Sequence, residues 1–85
     1  MNASTTYIAL RAVLMEHGAP PTALSGLTEL AGLLSGRHRL SANAATRWMT
    51  GPNRRLEDQR PLDVWLDAGA GPVLDAVRAE TTGRL

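Results

Sequence analysis

The sequence predicts an all-α fold, a compact bundle of about five short helices with no sheet. Two observations lead there. Apolar residues recur at helical spacing between Gly and Pro breaks, and no stretch alternates with period two for long enough to make a strand. The apolar set is also dominated by Ala, Leu and Val, with Tyr7, Trp48 and Trp65 the only aromatics. Such a set suits close-packed helices, whereas sheets favour β-branched and aromatic side chains. At 85 residues the chain makes one small domain, burying about 60–65% of the surface its unfolded form exposes.

The first helix is expected from Ser4 or Thr5 to His17, with Ile8, Ala12 and Met15 on one stripe and Tyr7, Leu10 and Leu14 beside it. Gly18 stops it, and Ala19-Pro20-Pro21 follows as a stiff extended connector. A second helix is expected over about Thr22 to Ser35, where Leu24, Leu27, Leu30, Ala31 and Leu34 give the clearest amphipathic pattern in the chain. Gly26 and Gly32 weaken it, each by up to about 1 kcal/mol relative to Ala, and Gly36 ends it. Arg37-His38-Arg39-Leu40 reads as a basic link.

Ser41 then has the form of an N-cap for a third helix, Ala42 to Thr50, which turns Ala44, Ala45, Trp48 and Met49 inward. Gly51-Pro52-Asn53 breaks this helix, since Pro lacks an amide hydrogen and restricts its predecessor. Arg54 to Arg60 is polar, with Leu56 as its one apolar anchor. Pro61 suits the first position of a fourth helix carrying Leu62, Trp65 and Leu66. Gly69-Ala70-Gly71 ends that helix, and Pro72 starts a fifth with Val73, Leu74 and Val77. Gly83-Arg84-Leu85 is a short tail. The organisation expected is an N-terminal helix with a Pro-rich connector (1–21), then a helical domain (22–85), forming one unit.

Charge narrows the function classes. The nine basic residues are all Arg and the net charge is +1, yet residues 37–60 carry +4 between flanks of −1 and −2. A charged partner would be felt in that middle. The absence of cysteine removes disulfides, thiolate metal sites and a cysteine nucleophile. No apolar run approaches the ~20 residues of a membrane helix, and the N-terminus lacks the form of a secretory signal. The expectation is a cytoplasmic protein without a membrane contact.

Catalysis finds little support. His17 and His38 stand far apart with no third ligand at metal spacing, so no metal site is expected. His17 reads instead as a charge partner for a helix C-terminus. No Gly-flanked turn presents a serine, and no phosphate-cradling loop follows a strand. Glu57 and Asp58 read as solvated. No enzyme activity and no cofactor are expected. The Arg cluster (Arg37, Arg39, Arg47, Arg54, Arg55) fits either an acidic partner or phosphate backbone, or a solvated surface paired locally with Glu57 and Asp58. The second helix, link and third helix also have a loose helix-turn-helix look, with Ala42, Asn43 and Thr46 where a recognition helix reads bases. Of these only Asn43 could make the bidentate adenine contact, and the link is several residues longer than the usual tight turn.

The run from Trp48 to Val64 resembles the toxin-binding domain of Xre/MbcA/ParS-type antitoxins. That family carries a Trp, Pro-Asn a few residues on, a Leu, then a basic residue with Pro opening a helix. These fall here at Trp48, Pro52-Asn53, Leu56 and Arg60-Pro61. A glycine break, an apolar helix and a small-residue tail follow in the family's order at Gly69, Val73 to Val77 and Gly83-Arg84-Leu85. Residue chemistry makes Trp48, Pro52, Asn53, Leu56 and Pro61 the scaffold. Asn53 can bond nearby amides, and Trp48 would need a partner for its indole hydrogen. The exposed neighbours Arg54, Arg55, Glu57 and Arg60 are the contact candidates.

The resemblance implies a partner toxin of the RES type that degrades NAD, neutralised by covering its active-site entrance while the antitoxin's C-terminal segment reaches inward. It adds Glu80, Gly83, Arg84 and Leu85 to the contact candidates. Family members usually carry a separate helix-turn-helix domain ahead of this region. The residues before Pro20-Pro21 are too few for one, so a stand-alone toxin-binding unit is expected. DNA binding by a small helix-turn-helix-like regulator or phage accessory protein is the alternative. The Leu, Ile and Met faces of the first helix either complete the core or support a homo-oligomer.

Overall fold

The computed structural model describes residues 3–80. Over these residues the chain is an all-α bundle of five helices without a strand: α1 (Ala3–Glu16), α2 (Leu27–Gly32), α3 (Ala42–Thr50), α4 (Pro61–Ala68) and α5 (Ala70–Ala79). None of them is long and apolar enough to cross a membrane. α1 packs across α2 and α3, α3 meets α4, and α4 folds back on α5. The core runs through all five, from Leu10, Val13 and Leu14 of α1 to Val73 and Val77 of α5. Residues on either side of Pro20-Pro21 therefore share one buried cluster.

α1 turns Thr6, Leu10, Val13 and Leu14 inward. Of the two adjacent stripes in its sequence, the Leu10/Leu14 one faces the core. Ile8, Ala12 and Met15 face solvent. His17 follows the last turn, and its Nδ1 lies 2.9 Å from the Val13 carbonyl oxygen, where a ring N–H caps a helix C-terminus.

The second helix departs from expectation at its start. Pro21–Leu24 forms a separate 3₁₀ turn, and α2 begins only at Leu27. Gly26 makes the break, standing at φ +90° with a Cβ position only 2.9 Å from Ala70 Cβ. Periodicity through Gly26 suggested continuity, but a close approach to α5 requires a left-handed residue without a side chain there. Past Gly32 the helix runs on through a π-type turn, Leu33–Arg37. The Ser35 hydroxyl donates to the Ala31 carbonyl at 2.7 Å, competing with the backbone ladder. The anticipated apolar face is otherwise kept, with Leu27, Leu30, Ala31 and Leu34 buried and Leu24 half-buried.

α3 spans the expected residues, and the Ser41 hydroxyl accepts from the Ala44 amide at 3.1 Å as its N-cap. Ala45 and Met49 are buried, while Ala44 and Trp48 are half-buried. α4 starts at Pro61 as expected. Its Leu62, Val64 and Trp65 are buried and Leu66 is exposed. The Trp65 indole N–H donates to the Ala23 carbonyl, fastening α4 to the 3₁₀ turn. Gly69 alone, at φ +89°, separates α4 from α5. α5 therefore starts at Ala70, two residues before Pro72. First-turn amides have no intrahelical acceptor, so Pro is tolerated at the third position as well as the first.

Candidate protein-interaction site

Between α3 and α4 the chain makes a tight loop from Gly51 to Arg60. The backbone of Asn53 pairs with Gln59, its amide donating to the Gln59 carbonyl at 3.1 Å. The Asn53 carbonyl accepts from both Leu56 and Asp58 amides at 2.9 Å. Its side-chain Oδ1 accepts from the Arg55 amide, also at 2.9 Å, opening a 3₁₀ turn over Arg54–Leu56. This is the local amide bonding anticipated for Asn53. Leu56 is buried and pins the loop to the core, and Pro61 is fully buried where α4 restarts. Pro52 is exposed. Its part is to stop α3 rather than to pack.

Trp48 needs a correction. Its ring packs on the core, but its indole Nε1 is buried with no hydrogen-bond partner among the described residues. The partnered indole is that of Trp65.

With the loop tied at Asn53 and Leu56, the chain turns at Glu57 and Asp58, both left-handed at φ +58° and +64°. Such backbone costs an L-residue about 1–2 kcal/mol, and here it throws two carboxylates into solvent. Arg54, Arg55, Glu57 and Asp58 are all exposed, and Arg60 is partly so. The local Arg pairs with Glu57 or Asp58 read from sequence do not form. Arg55 Nε instead donates to Glu80 Oε1 at 3.0 Å, 25 residues on. Arg60 grips Asp63 with two bonds of 2.8 Å. Those bonds hold the Asp63 carboxyl below its ordinary range and raise the Arg60 guanidinium. Arg54 makes no ion pair with a described residue.

The contact candidates Arg54, Arg55, Glu57 and Arg60 thus lie on one loop, and Glu80 joins them from the end of α5. Gly83, Arg84 and Leu85 lie outside the described residues. Asp63 was not singled out from sequence, although an Arg and an Asp three residues apart at a helix start are a readable pair. His38 was read as part of a basic link, yet it is only 6% exposed. Its Nε2 sits 3.3 Å from the Val77 carbonyl oxygen and its Nδ1 has no partner among the described residues. No three His, Asp or Glu side chains converge as a metal site would need, among the described residues. No protein-family model, curated protein or solved structure matches this chain.

Proposed function

We propose that this chain is an antitoxin-like binding module. It neutralises a partner toxin in the cytoplasm by occluding the toxin's active site, without catalysis of its own. By the resemblance of residues 48–64, the partner is a RES-type enzyme that degrades NAD. One observation carries most weight: the Arg55–Glu80 ion pair ties the exposed Arg54–Arg60 loop to the end of α5. Glu80 therefore stands beside the loop, so a partner seated on the loop also meets the end of α5. The loop is braced by Asn53, Leu56 and Pro61, so its charged side chains are displayed on a fixed backbone and need little ordering on binding. Co-expression with a RES-domain toxin encoded beside it is expected to restore growth and to yield a co-purifying complex. Independent migration of the two proteins would refute the reading.

A second reading has its own support. Because the helix runs through Arg37, the link to α3 is only His38 to Ser41, the length a helix-turn-helix uses. Arg37, Arg39 and Arg47 make no ion pair with described residues, and Asn43 and Arg47 lie one turn apart on the exposed face of α3. A DNA-binding regulator of this kind would lose affinity steeply with log salt. Retention of the complex with toxin, and no shift of duplex DNA at low salt, separates the two readings.

A further inference from the structure

α1 is apolar on two opposite faces. Stepping about 100° per residue, Thr6, Leu10 and Val13 point into the core while Ile8, Ala12 and Met15 point almost directly away from it. Ile8 is 65% exposed and Met15 49%, two of the three large apolar side chains left in solvent among the described residues. An open groove of about 340 Å³ between α1 and α2, lined by Tyr7, Ile8, Thr28 and Ala31 among others, extends this surface. A helix apolar on both sides calls for cover on both sides.

The charges on α1 say what provides it. Arg11 and Glu16 are its only charged residues, and neither makes an ion pair with a described residue. They flank the outer stripe on opposite edges, five positions apart. Written as heptads, Ile8 and Met15 take d, Ala12 takes a, Arg11 takes g and Glu16 the following e. In a parallel, in-register helix pair the g residue of one helix reaches the following e residue of the other. Two copies therefore satisfy Arg11 and Glu16 twice over, around a seam in which Ala12 permits close approach. An antiparallel pair would instead set Arg11 against Arg11 and Glu16 against Glu16.

We infer that the outer face of α1 binds a second copy of this chain, α1 against α1, parallel and in register about a two-fold axis. Such an interface is self-complementary, as a closed dimer requires, and its single short seam makes it a weak one. It lies on a different helix from the Arg54–Arg60 loop and Glu80, so it does not depend on the toxin-binding reading.

The absence of cysteine allows a direct test. Ile8→Cys and Met15→Cys, at exposed positions that leave the core untouched, should each oxidise to a disulfide-linked dimer, and a mixture should give no cross-link between the two variants. Sedimentation equilibrium of the wild-type chain should show a concentration-dependent dimer. Arg11→Glu and Glu16→Arg should each weaken it about tenfold, since two attractive pairs become repulsive, and the double exchange should restore it. Circular dichroism reports whether each variant keeps its helices. A wild-type chain that stays monomeric at millimolar concentration, a mixed 8–15 cross-link, or charge exchanges that leave the association unchanged would each overturn the inference.

Discussion

At Glu57 the backbone and the side chain serve different ends. Its left-handed φ of +58° favours glycine, so Glu57→Gly should raise stability by up to about 1 kcal/mol. In a domain of this size that is a rise of about 4–8 °C in Tm. If the carboxylate meets a partner, the same variant should bind toxin less well. Calorimetry and a binding titration on one sample read both, and a stabilised variant with unchanged affinity would remove Glu57 from the interface. Asp63 gives a residue-level pH prediction. Its carboxyl is held below its ordinary range by the Arg60 hydrogen bonds. The stabilisation is therefore present above the unfolded carboxyl's pKa and is lost as pH falls through the lower folded value. NMR titration should place the Asp63 midpoint below the ordinary aspartate range, and Arg60→Ala should move it up. The pair is exposed, so the global effect should be small.

At the scale of elements, legibility tracked how local each signal was. α3 and α4 were readable to the residue because Ser41, Gly51-Pro52 and Pro61 act on neighbouring backbone amides. The scaffold roles of Asn53, Leu56 and Pro61 were readable for the same reason. The break at Gly26 was not, because its cause is Ala70, 44 positions further along the chain. The Arg55–Glu80 and Trp65–Ala23 contacts were hidden likewise, since nothing in local spacing brings those residues together. His38 read as part of a basic link, and only the packing of α5 shows it buried. Gly26→Ala tests the element-level account. It combines a disfavoured positive φ with a clash against α5, so it should cost more than about 1 kcal/mol and lower Tm accordingly. A Tm within 1 °C or so of wild type, against the several degrees such a loss implies, would show that the α2–α5 contact yields easily.

For the whole molecule, the shared core makes residues 3–21 part of the fold rather than an appendage. Leu10, Val13 and Leu14 are buried against α2 and α3, and losing three such side chains forfeits about 5–9 kcal/mol. A domain of this size has on the order of 5 kcal/mol in total. A fragment of residues 22–85 should therefore be largely unfolded by circular dichroism, and a helical fragment with a cooperative melt would contradict the single-core account. The same packing fixes two separate outward surfaces, the α1 stripe and the charged loop beside the end of α5.

Calorimetric titration of the proposed partner, a RES-domain toxin, with wild-type chain and with the double substitution Arg54→Ala and Arg55→Ala probes the second surface most directly. The account predicts saturable binding by the wild type and at least a tenfold loss in the variant, as expected when contacts worth about 1.4 kcal/mol or more are removed, with its melting curve little changed. A variant that binds and blocks NAD breakdown as tightly as wild type would contradict it.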